Sequence, residues 1–194
     1  MTEPKTLKEK QDFLQRLIDN KDVILQEYLY NLGKRTIAIP GYDEASTPIP
    51  EWRAVALWWD HKAWPIYQKW FPKSTELIRY GPTHRASGWL ILKPHSSTPK
   101  HNHIDWGNKI IMHLPMIVPE GDVGFWIDGK IHRWKVGELF AFDITKEHYG
   151  FNNTDEERAI FVLDFDANEW REALQPYMTF GYNDKYQYEK TEIV

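Results

Sequence analysis

The order of apolar patterns along the chain predicts an α+β protein, helices first and a β-rich core second. Two observations carry this. Apolar residues recur with helical spacing from Thr6 to about Leu32, and from Ser87 onward short apolar runs follow one another, separated by Gly, Pro and Asp turns. The composition agrees: 42% of the 194 residues are hydrophobic, enough to bury one sizeable core. A single domain is expected over 1–194, with a mainly helical part at 1–80, a β core at 81–166, and a helix and tail at 167–194.

The first segment repeats Phe13, Leu14, Leu17 and Ile18, then Val23, Ile24, Tyr28 and Leu32, so two amphipathic helices are expected, broken near Asn20 and stopped at Gly33. Pro40, Gly41, Pro48 and Pro50 mark a loop. Trp52 to Trp59 is compact and apolar, the pattern of a strand. Lys62 to Arg79 reads as helix, with Pro65 near its start and Pro72 dividing it. Strands are then expected at Trp89–Leu92, Lys109–Pro115, Val123–Ile127, Lys130–Trp134, Leu139–Phe142, Glu147–Phe151 and Arg158–Phe165. The second hairpin pair flanks Asp128-Gly129, a strong turn signal. Such strands read as a sandwich or barrel. Asn168–Leu174 is a short helix, and the polar, aromatic tail from Gly181 has no clear assignment.

Charge and composition exclude several functions. A net charge of −4 gives no long-range attraction to phosphate backbones, so no nucleic-acid partner is expected. With no cysteine, any metal must be held by His, Asp or Glu. The N-terminus lacks an apolar signal core and no run reaches membrane-span length, so a cytoplasmic protein without a membrane partner is expected.

Five of the eight histidines fall between His101 and His148. In His103-Ile104-Asp105 an extended backbone would place the first and third side chains on one face. His148 lies in a later strand that barrel closure can bring alongside. Two histidines and one carboxylate make a facial triad with open positions for a cosubstrate and dioxygen. His101 competes with His103 for the first position; only His103 has the carboxylate two residues on. Arg158 opens an apolar strand and needs an anionic partner there. That partner is either a bound dicarboxylate, matched to the guanidinium fork, or a buried carboxylate such as Asp164 or Asp143. On its strand Arg158 shares a face with Ile160 and Val162. Lys109, Ile111 and His113 alternate to one face of another strand, which lets Lys109 project into the site or cap its mouth. From the residues alone His113 reads as a satisfied core histidine, and His84, His95 and His132 as loop or surface residues. Arg79, Arg85 and Arg133 read as solvated charges, with one of them available to grip a substrate carboxylate.

The stretch Trp70–Asp166 resembles the aspartyl/asparaginyl β-hydroxylase family of 2-oxoglutarate oxygenases. The matching strings are Phe71-Pro72-Lys73, Leu92-Lys93-Pro94, Met112-His113-Leu114, Asp128-Gly129, Trp134, Gly137-Glu138, Phe142-Asp143, Glu147-His148 and Arg158. The resemblance implies a double-stranded β-helix (jelly-roll/cupin-like) core with the N-terminal helices packed outside. It implies Fe(II) held by His103, Asp105 and His148, 2-oxoglutarate held by Arg158 and contacted by His113, and dioxygen as oxidant. The implied reaction hydroxylates an unactivated C–H of a small amino-acid-like substrate, or of an Asp or Asn residue in a peptide, releasing succinate and CO2. Two positions depart from the family's mammalian pattern: Asp105 stands where that pattern has Gly, and Ile111 where it has a cosubstrate-binding Arg. The Ser expected on the first core strand is also missing, with Leu90 nearest. A cupin-type isomerase or ligand-binding protein keeps the triad but gives Arg158 no task.

Overall fold

The computed structural model describes residues 2–32, 52–178 and 189–190. The Gly33 stop, the proline-marked loop and most of the tail lie outside the described residues.

Two helices come first, α1 (Leu7–Asp19) and α2 (Lys21–Leu32). Thr6 and Glu9 form a reciprocal capping box at the start of α1, satisfying backbone N–H groups that a helix terminus leaves unpaired. Asn20 ends α1, and its carbonyl accepts from the N–H groups of Val23 and Ile24 as α2 begins. Strands β1 (Trp52–Trp59) and β2 (Lys62–Ala63) form a hairpin. Helices α3 (Pro65–Trp70) and α4 (Pro72–Ile78) each start on proline, which fits the first helical turn, where its missing N–H costs nothing. The division expected at Pro72 is therefore present.

The β core contains β3 (Ala86–Leu92), β4 (Ser96–Ser97), β5 (Lys109–Ile117), β6 (Val123–Ile127), β7 (Lys130–His132), β8 (Phe140–Asp143), β9 (His148–Asn152) and β10 (Arg158–Asp166). A final helix, α5 (Ala167–Leu174), is capped by the Asp166 side chain. Glu189–Lys190, β11, pairs with β7.

All strand pairing within the sheets is antiparallel. One sheet runs β2-β1-β3-β10-β5-β8 and the other β11-β7-β6-β9-β4. From β3 to β10 the chain changes sheet at every step except the β6–β7 hairpin. That exchange is the jelly-roll form of a double-stranded β-helix. At the hairpin, Asp128 and Gly129 both take positive φ (47° and 84°), as a two-residue turn matched to strand twist requires. Gly88 allows the close β1–β3 approach. A Cβ there would sit 2.1 Å from the Val55 carbonyl oxygen, opposite the bulge between Ala56 and Trp58.

Side-chain alternation sorts the core into two. On β10, Ala159, Phe161 and Leu163 face a cluster shared with α1, α2 and α5, including Phe13, Leu14, Leu17, Tyr28 and Trp170. Tyr28 stacks on Trp89 at 4.3 Å, and Phe13 meets Phe165 and Trp170 edge-on. The helices thus cover the outer face of the larger sheet. Ile160 and Val162, with Ile111 of β5, face a second cluster between the sheets with Phe125, Trp134, Phe140, Phe142 and Ile144. This aromatic barrel interior holds the site.

Candidate metal centre and the buried cation behind it

After β4 the chain runs along the edge of β9. The N–H of Thr98 donates to the Gly150 carbonyl, and His101 and His148 exchange both backbone hydrogen bonds at 3.0 and 2.8 Å. The N–H of His103 donates to Ile144 at 2.9 Å. Backbone pairing therefore gathers three imidazoles: one ring nitrogen each from His101, His103 and His148 lies within 4.8 Å of the others.

Two of these rings have a defined tautomer. Nδ1 of His101 lies 2.6 Å from the Pro99 carbonyl, and Nδ1 of His148 lies 2.7 Å from the Lys146 carbonyl. A carbonyl only accepts, so each Nδ1 carries the proton and each Nε2 keeps its lone pair for a metal. Burial pushes His148 down to about 4 despite the opposing Lys146 hydrogen bond. Burial, helped by the charges of His101, His148 and Arg85, pushes His103 down to about 3. Both are neutral near pH 7, as ligation requires.

Asp105 departs from expectation. Ile104–Trp106 is a 3-10 turn, not an extended segment, so residues 103 and 105 do not share a face as they would on a strand. The Asp105 carboxylate is exposed and stays outside the histidine group, where His101 stands instead. The turn follows from Gly107, which takes φ 79° and closes it with an N–H bond to Ile104.

Arg158 lies in the barrel interior, 1% exposed. It shares the inward face with Ile160 and Val162, as strand alternation predicts. Neither carboxylate considered as its partner reaches it. Asp164 accepts from Thr83 and from the N–H groups of Arg85 and Ala86, and Asp143 accepts from Thr145. The guanidinium makes one long hydrogen bond, 3.4 Å to the Leu90 carbonyl, and lies 4.6 Å over the Trp134 ring. Its Nε, the Nδ1 of His113 and the Nε1 of Trp134 are buried without a hydrogen-bond partner among the described residues. Burial pushes Arg158 down to about 9 and His113 well below its usual value. A protonated arginine and two unpaired N–H-capable rings thus converge where a bound anion would satisfy them.

The two parts lie in one interior. Phe142 contacts both His113 (5.1 Å) and His148 (4.9 Å), and Phe125 does the same at 5.1 and 5.5 Å. Gly150, two residues beyond His148, leaves space: a Cβ there would lie 3.4 Å from both the Arg158 guanidinium and Trp134. Lys109 lies within 3.8 Å of the Asp166 carboxylate instead of entering the site. His132 is not an exposed hairpin residue: it stacks on Phe140 at 3.8 Å, and burial pushes it down to about 4. His84 likewise stacks on Trp58 at 4.1 Å, whereas His95 is exposed and pairs with Asp155. Trp134 and Gly150 were not legible as site residues from their own pattern; the signal for Gly150 was its position on the inward face two residues after His148.

The aspartyl/asparaginyl beta-hydroxylase family profile matches residues 18–168. The chain belongs to this family. The histidine group is its candidate metal site. An ornithine lipid ester-linked acyl 2-hydroxylase from Rhizobium tropici is 30% identical over 96 residues, covering 48% of this chain and 34% of that protein. The match thus spans about a third of that relative's length. Among solved structures, a cupin 2 conserved barrel domain protein from Salinispora arenicola has 17% identity and a TM-score of 0.42, covering 73% of this chain and 99% of that one. A predicted oxalate decarboxylase from Thermotoga maritima has 19% identity and a TM-score of 0.37, covering 47% and 72%. No helix among the described residues is long and apolar enough to cross a membrane.

Proposed function

We propose that the protein is an Fe(II)- and 2-oxoglutarate-dependent dioxygenase. It hydroxylates an unactivated C–H of a small amino-acid-like substrate, or of an Asp or Asn residue in a peptide. The supporting observation is Arg158: a buried guanidinium with no carboxylate partner among the described residues, in the same barrel as a group of neutral histidines. A buried cation left unpaired is strongly unfavourable, and a dicarboxylate cosubstrate removes that penalty.

His103 and His148 are the ligands common to every arrangement. The proposal takes Asp105 as the third. Its carboxylate is exposed and makes no hydrogen bond or ion pair among the described residues, so no partner has to be given up when the 104–106 turn shifts to bring it to a divalent ion. A carboxylate also offsets the ion's charge, which a third imidazole does not. When bound, ferrous iron with 2-oxoglutarate supplies the dioxygen chemistry that yields hydroxylated product, succinate and CO2. The chain contributes the rest. The Pro99 and Lys146 carbonyls fix imidazole tautomers, Arg158 and His113 hold the cosubstrate, and Phe125, Phe142 and Trp134 exclude water.

The test is aerobic incubation with Fe(II) and 2-oxoglutarate, reading succinate against a panel of amino acids, Asp- and Asn-containing peptides, and acyl-amino-acid lipids. The lipids belong there because of the activity named for the Rhizobium tropici relative. One observation favours a second reading: with His101 in third place the metal group is all-histidine, as suits a cupin-type isomerase or binding protein without oxygenase chemistry. Metal binding without succinate release under any condition would decide for it.

A further inference from the structure

A second charged assembly stands beside the histidines. The Arg85 guanidinium is ion-paired with Asp60 and lies 4.9 Å over the Trp106 ring. His103 stacks on the same indole at 4.0 Å, so the cation and the histidine group are neighbours across one ring. Trp59 meets Trp106 edge-on at 6.2 Å, and Ile104, 63% exposed, adjoins it in the same turn. Arg85 therefore emerges from an aromatic and apolar shelf.

Its backbone is held from both sides. Asp164, fully buried, accepts from the N–H groups of Arg85 and Ala86 and from the Thr83 hydroxyl. Opposite, the N–H of Asp60 donates to the Arg85 carbonyl at 2.9 Å, and that of His61 to the His84 carbonyl at 2.8 Å. Asp60 and His61 take positive φ (51° and 63°) as the two turn residues of the β1–β2 hairpin, and His84, next to Arg85, takes φ 61°, a conformation uncommon for a non-glycine residue. The Arg85 side chain remains one-quarter exposed. The buried Asp164 and the left-handed His84 thus fix the backbone from which the Arg85 side chain projects beside the histidines.

We propose that Arg85 anchors the carboxylate of an amino-acid substrate, with Trp106, Trp59 and Ile104 against its apolar part. Asp60 orients the guanidinium and leaves its other N–H groups for the ligand. This deepens the dioxygenase reading and rests on it. The carboxylate can belong to a free amino acid or to an acyl-amino-acid lipid headgroup, and the experiment separates the two.

Calorimetric titration of the Co(II)- and 2-oxoglutarate-loaded protein under argon uses three probe sets: the free L-amino acids, their α-carboxamides, and N-acyl amino acids in mixed micelles. A carboxylate probe is expected to bind on the order of 10–100-fold more tightly than its carboxamide, the range of one charge-assisted pairing. Arg85→Gln removes that preference and Arg85→Lys keeps part of it, while Co(II) and 2-oxoglutarate bind as in the wild type. Asp60→Asn, which breaks the ion pair but keeps the cation, retains the preference. Binding confined to the micellar probes assigns the carboxylate to a lipid headgroup. Equal binding of acid and amide, an unchanged preference in Arg85→Gln, or no binding of any carboxylate probe overturns the anchor. Wild-type protein that fails to bind 2-oxoglutarate overturns the dioxygenase reading itself, in a separate titration.

Discussion

Replacing Arg158 by Met should stabilise the ligand-free protein while destroying its affinity for 2-oxoglutarate. Burial pushes this guanidinium down to about 9, well below its usual value. A shift of that size corresponds to roughly 4–5 kcal/mol against the charged form, at about 1.4 kcal/mol per unit. Two contacts offset part of this. The 3.4 Å hydrogen bond to Leu90 and the approach to Trp134 together contribute about 1–3 kcal/mol. Met fills similar space without a charge, so a net gain of about 1–4 kcal/mol is expected, or roughly 2–16 °C in melting temperature for a chain this long. The cosubstrate effect runs the other way. Loss of one partner of a buried charge pair costs about 3–5 kcal/mol, so affinity should fall by two orders of magnitude or more. The assay is thermal unfolding of the Co(II) protein under argon, with and without 2-oxoglutarate. Saturating cosubstrate at about 100 times its Kd should stabilise the wild type by about 2.7 kcal/mol and Arg158→Met not at all. A variant that melts far below the wild type yet keeps the 2-oxoglutarate shift would refute the reasoning and make Arg158 a structural cation.

His103→Ala and His148→Ala should each abolish Co(II) binding, read from its visible absorption. Asp105→Ala should weaken it by at least tenfold and more than His101→Ala does; the reverse order would establish the all-histidine arrangement. The metal-free protein should lose stability as the pH falls from about 6.5 toward 4, because His132, His148 and His103 have folded pKa values well below 6.5 and the unfolded chain takes up protons that the folded state refuses. That contribution is fully present above pH 6.5; His132→Phe should flatten the decline in melting temperature, and an identical slope in the variant would rule out its share. Gly150→Val should impair 2-oxoglutarate binding more than Co(II) binding, since the new methyl groups would press on Arg158 and Trp134 from the strand that also carries His148; equal losses of both would mean that the whole strand had shifted.

The fold was legible where period and punctuation coincide. The Asn20 break, the Pro72 division and the Asp128-Gly129 hairpin each depend on one residue's local chemistry, and each is present. Strand ends at β5, β8 and β9 differ by one or two residues because ladder pairing, rather than hydrophobicity, decides where a strand stops. The two-residue β4 was invisible: Ser96-Ser97 has no strand pattern and exists because β9 offers it backbone partners. Arg158's inward face followed from alternation alone. What escaped was the turn at 104–106. An HxD string fixes the spacing of two ligands but not the backbone between them, and Gly107 bends that backbone away from the strand geometry that would align them.

Placement within the barrel links these observations to selectivity. β10 presents Arg158 at its start and Asp164 near its end on the same inward-facing row. Arg158 makes no ion pair among the described residues, whereas Asp164 braces the segment that carries Arg85. One strand therefore supports two cations with opposite exposure, one closed off by aromatic rings and one open to solvent. A buried site discriminates strongly because any ligand lacking the right anion leaves the guanidinium unpaired. A partly exposed site pays less for a mismatch, since water can replace the missing partner. Under the proposed function, a strict requirement for one dicarboxylate at Arg158 would coexist with a graded preference among carboxylates at Arg85. A substrate survey should therefore find a narrow cosubstrate requirement beside a broad set of weakly distinguished substrates, and a single sharply preferred substrate would show that residues other than Arg85 govern the choice.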